Sequence, residues 1–219
     1  MENFDRKKHW ENIYTTKEPT EVSWYQPRPA TSLDLIKTLQ LPTTAKIIDV
    51  GGGDSLLVDH LLDLGYTEIT VLDISAVAIE KAKYRLGEKA QQVIWIVSDV
   101  TEFKPATKYD CWHDRAAFHF LTTEKDIETY IHLAEKNINP GGYLLIGTFS
   151  TEGPTKCSGI QIKQYSEASM TEIFSKSFKK MQCMHIDHRT PFGTNQNFIF
   201  CYFRRRLKLL FTRIKTNTA

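Results

Sequence analysis

Short apolar runs rich in β-branched residues alternate along the chain with stretches whose apolar positions recur at helical spacing. That alternation is what a parallel sheet with crossover helices produces. KIIDV (residues 46–50) reads as a first strand, and SLLVDHLLDL (residues 55–64) as a helix stopped by Gly65, since glycine accepts the left-handed turn that closes a helix. ITVL (residues 69–72) is a second strand, and Ser75 is placed to cap AVAIEKAKYRL, which ends at Gly87. VIWIV (residues 93–97) is a third strand, and YDCWHD (residues 109–114) contains a fourth. Residues 123–137 are helical, with Thr123 and Asp126 spaced as a capping box. NPGG then gives a turn before a fifth strand over residues 143–149, and a helix follows near residues 166–178. KKMQCMHID and NFIFCYF flank the turn PFGTN, so these last two strands pair antiparallel. The expected fold is α/β, a doubly wound, mostly parallel seven-stranded sheet with one antiparallel late strand.

Composition narrows the class. The chain has 219 residues, 41% hydrophobic and 25% charged, enough for one substantial core. A net charge of only +2 argues against a nucleic-acid partner. Cys111, Cys157, Cys183 and Cys201 show no CxxC and no metal-ligand spacing, and so fit a reducing compartment better than a disulfide framework. No metal is expected. The first thirty residues are charged and aromatic, with no signal-peptide pattern, and no apolar run approaches the ~18 residues of a membrane span. The expectation is a cytoplasmic protein without stable membrane association. No repeat or linker divides it, so residues 1–219 read as one domain. Within it, residues 1–42 form an N-terminal helix and aromatic lid, 43–150 a ligand-binding core, and 151–219 a substrate loop and C-terminal strands.

The chemistry concentrates in IIDVGGGDS, residues 47–55. A glycine loop between a buried strand and a helix lets the backbone approach a nucleotide closely. A dinucleotide fingerprint needs G-x-G-x-x-G, and counting from Gly51 and Gly53 its last glycine falls on Leu56. Asp49 and Asp54 flank Gly51, Gly52 and Gly53, and negative charge there disfavours a pyrophosphate and suits a cationic ligand.

With those acids the loop resembles the first motif of class I S-adenosylmethionine-dependent methyltransferases, an acid, a spacer and G-x-G-x-small. The resemblance implies the Rossmann-like methyltransferase fold, S-adenosylmethionine as cofactor and S-adenosylhomocysteine as product. It further implies that Asp49 and the glycines cradle the methionine portion. Asp73 in VLDIS, with Ile74 beside it, stands where the family's ribose-binding acid stands, and Asp99 with the Val100 amide where adenine is held. NPGG (residues 139–142) matches the turn before strand five. The landmarks cover residues 47–149.

Methyl transfer from a sulfonium needs donor and acceptor held in line, and a base only when the acceptor starts protonated. In this fold the acceptor enters over strands one and four, which singles out His113, Asp114 and Arg115 in CWHDRAAFHFL. Asp114 or His113 would orient or deprotonate the acceptor, and Arg115 would grip a carboxylate; the bland reading has Asp114 and Arg115 pairing or capping the next helix. His119, between Phe118 and Phe120, reads as a packed histidine. HDRA lacks the Asn/Asp-Pro-Pro-aromatic tetrad of enzymes that methylate nucleobases or amide nitrogens. Ahead of the sheet, Trp10, Tyr14, Trp24 and Tyr25 suit a water-excluding lid in which the Trp24 and Tyr25 ring faces would meet a cationic or thioether group; the alternative is a helix packing its aromatics onto the sheet. This segment is similar to those of thiopurine-type and elongation-factor lysine methyltransferases. Cys157 reads as an ordinary cysteine in a substrate loop, and the basic tail RRRLKLLFTRIK as a frayed end of the last strand. The expectation is an enzyme that methylates an O, N or S atom of a small molecule. A protein-lysine methyltransferase and a non-catalytic S-adenosylmethionine-binding module are its rivals.

Overall fold

The computed structural model describes residues 4–207. Seven strands form one sheet: β1 (Lys46–Val50), β2 (Glu68–Asp73), β3 (Val93–Val97), β4 (Tyr109–Arg115), β5 (Ile138–Phe149), β6 (Phe178–Arg189) and β7 (Asn195–Arg205). Their order is β3-β2-β1-β4-β5-β7-β6. Only β7 runs against its neighbours, pairing antiparallel with β5 and with β6. The doubly wound sheet expected from the alternation is therefore present.

Successive strand residues point to opposite faces, and each face is covered by helices. Ile48, Val50, Trp112, Leu144 and Ile146 pack on α5 (Glu124–Asn137) and α6 (Glu167–Phe174), where Tyr130, Met170 and Phe174 meet them. Ile47, Ile69, Val71, Cys111 and Leu145 pack on α2 (Ala30–Thr38) and α3 (Leu57–Asp63), through Leu33, Ile36, Leu57 and Leu61. The helix stops fall where the glycines place them: Gly65 and Gly87 both have positive φ, at 86° and 57°. Ser75 caps α4 (Ala76–Leu86) by accepting from the Ala78 amide.

Three expectations are corrected. Residues 55 and 56 belong to the glycine turn rather than to α3, because the Ser55 amide bonds back to the Gly52 carbonyl. β5 starts at Ile138, not after the glycines: the register jumps from Tyr109↔Ile138 to Cys111↔Tyr143, so NPGG is a bulge within the strand. Cys183 and Cys201, directly opposite on β6 and β7, are joined in a disulfide with Cα atoms 4.1 Å apart. The cysteine argument for a reducing compartment thus keeps only Cys111 and Cys157, which are free and buried. Among the described residues no helix is long and apolar enough to cross a membrane, and no His/Cys/Asp/Glu group could hold a metal. Most of the basic tail (residues 208–219) lies outside the described residues.

The strand order reverses between β1 and β4, whose neighbours lie on opposite sides. Crossovers leave in opposite directions there, and a crevice opens at the carboxyl ends of the strands.

Candidate active site

A pocket occupies that crevice, lined by Asp49, Gly51, Gly52, Asp73, Ile74, Asp99, Val100, His113, Arg115, Trp24 and Tyr25 among others. Of the residues singled out in the sequence, Gly53 and Asp114 do not line it.

The glycine loop is shaped by close approach. Gly51 and Gly53 have φ of 67° and 51°, a region side chains disfavour. A Cβ on Gly51 would stand 2.5 Å from the Ala117 Cβ, and one on Gly53 2.5 Å from the Tyr14 hydroxyl. On Gly52 it would meet Asp49 Oδ2 at 2.7 Å. Arg85 of α4 clasps the far end of the loop, donating to the Asp54 and Ser55 carbonyls at 2.7 and 2.9 Å while pairing with Asp59.

Four acids line the cradle: Asp49, Asp54, Asp73 and Asp99. Asp73 is 5% exposed and accepts the Ser75 amide at 2.8 Å. Burial pushes its pKa up to about 7 against the opposing pull of the Ser75 and Gly53 amides, with Asp54 and Asp49 raising it further. Asp99 accepts the Thr101 amide and hydroxyl, both at 2.8 Å. Asp49 Oδ1 accepts a hydrogen bond from His113 Nδ1 at 2.7 Å, and His113 Nε2 meets the Ser32 hydroxyl of α2 at 2.8 Å. Both ring nitrogens of His113 are thereby engaged, so it fixes Asp49 against α2 rather than standing free as a base.

Strand alternation separates the three polar residues of HDR. His113 and Arg115 share the pocket face, and Asp114 points to the α5 side. There Asp114, fully buried, accepts from the Ala117 and Phe118 amides at 3.0 and 3.1 Å and from the Tyr130 hydroxyl at 2.8 Å. Trp112 Nε1 donates to that hydroxyl in turn at 3.1 Å. These bonds tie Asp114 to the turn after β4, away from the pocket, as in the capping reading of this residue. His119 is buried against Phe120 and Phe149, accepts the Phe149 amide at 3.3 Å, and burial takes its pKa down to about 3. Cys157 lines the pocket as a thiol, pushed up to about 11 by burial.

The N-terminal segment roofs the crevice. Trp10 stands edge-on to Trp24 and Phe120, with centroids 5.7 and 5.0 Å away, and Tyr14 lies 6.2 Å from Trp24. Arg115 Nη1 donates to the Trp24 carbonyl at 3.0 Å, and His188 Nε2 donates to the Ser23 carbonyl at 2.6 Å.

Sequence reasoning missed the residues that fasten α1 (Arg6–Thr16) down. Glu11 caps α4, accepting from the Ser75 hydroxyl at 2.8 Å and from the Ala76 and Val77 amides at 2.9 and 3.1 Å. Burial opposes its charge, but these bonds and Lys7 outweigh that and lower its pKa. Locally, Glu11 reads as an ordinary partner for Lys7 four residues earlier, so nothing marked it. Arg6 bridges Asp99 and Asp126 at 3.5 and 3.2 Å. Replacing Glu11 with Gln removes a charge-assisted cap and is expected to cost on the order of 1–2 kcal/mol. Hydrogen exchange should then accelerate across α1 while β1 and β4 stay protected; unchanged exchange in α1 would show that the clamp is not what holds it.

Strand order, glycine turn and acids are similar to those of class I S-adenosylmethionine-dependent methyltransferase domains, whose cofactor is S-adenosylmethionine. Residues 47–142 match the family described as "Methyltransferase domain". The eEF1A lysine and N-terminal methyltransferase of Mus musculus is 25% identical over 147 residues, 66% of this chain and 20% of that protein. The malonyl-[acyl-carrier protein] O-methyltransferase of Anoxybacillus flavithermus is 36% identical over 104 residues, 47% of this chain and 38% of that protein. The chain thus spans well under two thirds of the length of these relatives. N-methyltransferase NodS from Bradyrhizobium japonicum, solved with S-adenosylhomocysteine, superposes with a TM-score of 0.68 at 16% identity, covering 92% of this chain and 99% of that one.

Proposed function

We propose that the chain transfers the methyl group of S-adenosylmethionine to a small molecule. The observation that carries this reading is the roof. Trp10, Tyr14, Val22, Trp24 and Tyr25 line the pocket beside the strand ends, an aromatic wall suited to a small acceptor, where a protein methylator needs a channel opening on a docking face.

The residues fit the cofactor: Gly51 and Gly52 present backbone to the pocket, and the acids suit its cationic amino and sulfonium groups. Asp49 and the Gly51–Gly52 backbone would hold the methionine portion. Asp73, a carboxylate with acceptor capacity beyond the Ser75 bond, would hold the ribose hydroxyls, and Asp99 with Val100 the adenine. When bound, S-adenosylmethionine would supply an electrophilic methyl group on a sulfur that departs neutral, and these residues would hold it in line with a lone pair of the acceptor. The aromatic roof excludes water from the sulfonium.

A second reading, transfer to a protein lysine, draws on the relative named as an eEF1A lysine and N-terminal methyltransferase. The test is calorimetry with S-adenosylmethionine and S-adenosylhomocysteine, then incubation with radiolabelled donor and a whole lysate. Label in low-mass products supports the proposal, and label in one protein band supports the lysine reading. Tight cofactor binding with no transfer would leave a binding module, and NAD binding instead of S-adenosylmethionine would overturn the assignment.

A further inference from the structure

Of the two arginines that line the pocket, Arg115 has no ion pair among the described residues. The other arginine of the lining, Arg6, is paired with Asp99 and Asp126. Asp49 is paired with His113. Among the described residues no carboxylate lies within ion-pairing distance of Arg115. Its Nη1 is taken by the Trp24 carbonyl, and its guanidinium carbon sits 5.1 Å above the Phe198 ring centre. Its Nη2 is buried with no hydrogen-bond partner.

The nearest carboxylate whose charge acts on it, Asp49, lies beyond ion-pairing distance and is itself engaged by His113. Cys157 is held as a neutral thiol by burial, and burial likewise lowers the pKa values of His119 and His188. A buried, unpaired donor on a permanent cation is costly unless something completes it. The planar guanidinium fork is matched in shape and charge by a carboxylate.

We infer that the acceptor is a small organic acid whose carboxylate binds Arg115 Nη2 beneath the Trp24 loop. This rests on the proposed function and names the substrate class of the same pocket. It also disfavours lysine as acceptor, since an incoming ammonium would meet an uncompensated positive charge. Arg115 is a specificity-determining residue here: it holds the acid while the acceptor's reacting atom faces the donor.

The test measures binding of benzoate, indole-3-acetate and hexanoate, each against its isosteric amide, to protein saturated with S-adenosylhomocysteine; calorimetry gives the readout. At least one acid is expected to bind roughly tenfold or more tighter than its amide, the discrimination of a charge-assisted pair over a neutral one. Arg115→Met should bring that ratio to about one while S-adenosylhomocysteine affinity stays within about threefold. A merely loosened Trp24 loop would weaken acid and amide alike and leave the ratio unchanged. Arg115→Lys, which keeps the charge and loses the fork, should fall between and serves where the Met variant folds poorly. Equal binding of all three acids and their amides, or a ratio that survives in Arg115→Met, overturns the inference. Failure of S-adenosylhomocysteine to bind the unaltered protein overturns the proposed function itself.

Discussion

Asp73→Ala is expected to weaken S-adenosylmethionine binding about a hundredfold, with the sheet intact. A carboxylate that accepts two ribose hydroxyls contributes charge-assisted bonds of which about 3 kcal/mol is lost on truncation. Calorimetry with S-adenosylhomocysteine reads the loss directly, and an affinity within a factor of about three of the parent would remove Asp73 from the donor site. The same residue sets a pH dependence. Its pKa stands at about 7 in the folded protein, chiefly because burial disfavours the charge. A ligand that needs the carboxylate therefore binds progressively less well as pH falls through about 7, and Asp73→Asn should flatten that slope. Stability runs the other way. Between the unfolded value of 3.8 and about 7 the folded protein binds more protons than the unfolded chain. The advantage of the neutral buried acid is thus complete below the lower value and lost as pH rises to the upper one. The ligand-free parent should lose stability relative to Asp73→Asn across that window, measured by chemical denaturation.

Asp114→Ala should cost about 3–5 kcal/mol of stability, because it strands the Ala117 and Phe118 amides and the Tyr130 hydroxyl in the core. For a domain of this size that lowers the melting temperature by about 10 °C. Asp114→Asn keeps an acceptor oxygen for the two amides and should lose less, and Tyr130→Phe less again. What separates an anchoring role from a catalytic one is the behaviour of the folded Asn variant. Near-parental cofactor affinity and turnover mark an anchor, whereas abolished turnover at unchanged melting temperature would return Asp114 to the chemistry.

Much of the fold was legible because its signals are local. Glycines at 65 and 87 stop helices by taking positive φ, and β-branched runs become strands whose neighbours cover both faces. The acids around the glycine turn were readable for the same reason: Asp49, Asp73 and Asp99 sit at strand ends and reach the crevice whatever the rest of the chain does. The capping reading of Asp114 has its signal in the strand alternation. Consecutive strand residues cannot share one face, so HDR could offer the pocket His113 and Arg115 only. Other features were not readable from any window of the chain. The Cys183–Cys201 bond depends on two strands meeting in one register across a separation of 18 residues. Glu11 reaches the start of α4 from 64 to 66 residues away, and its role exists only once α1 lies across the sheet.

That reach has a consequence for the order of events. Glu11 bonds to the Ser75 hydroxyl, and the Ser75 amide bonds to Asp73; at the other end of α1, Arg6 rests on Asp99. One helix therefore touches the supports of both the ribose and the adenine places assigned above. By thermodynamic reciprocity, whatever the cofactor gains from a docked α1, the docking of α1 gains from the cofactor to the same extent. With Asp73 and Asp99 holding the cofactor as proposed, loading and sealing are expected to be coupled, each strengthening the other by the same free energy.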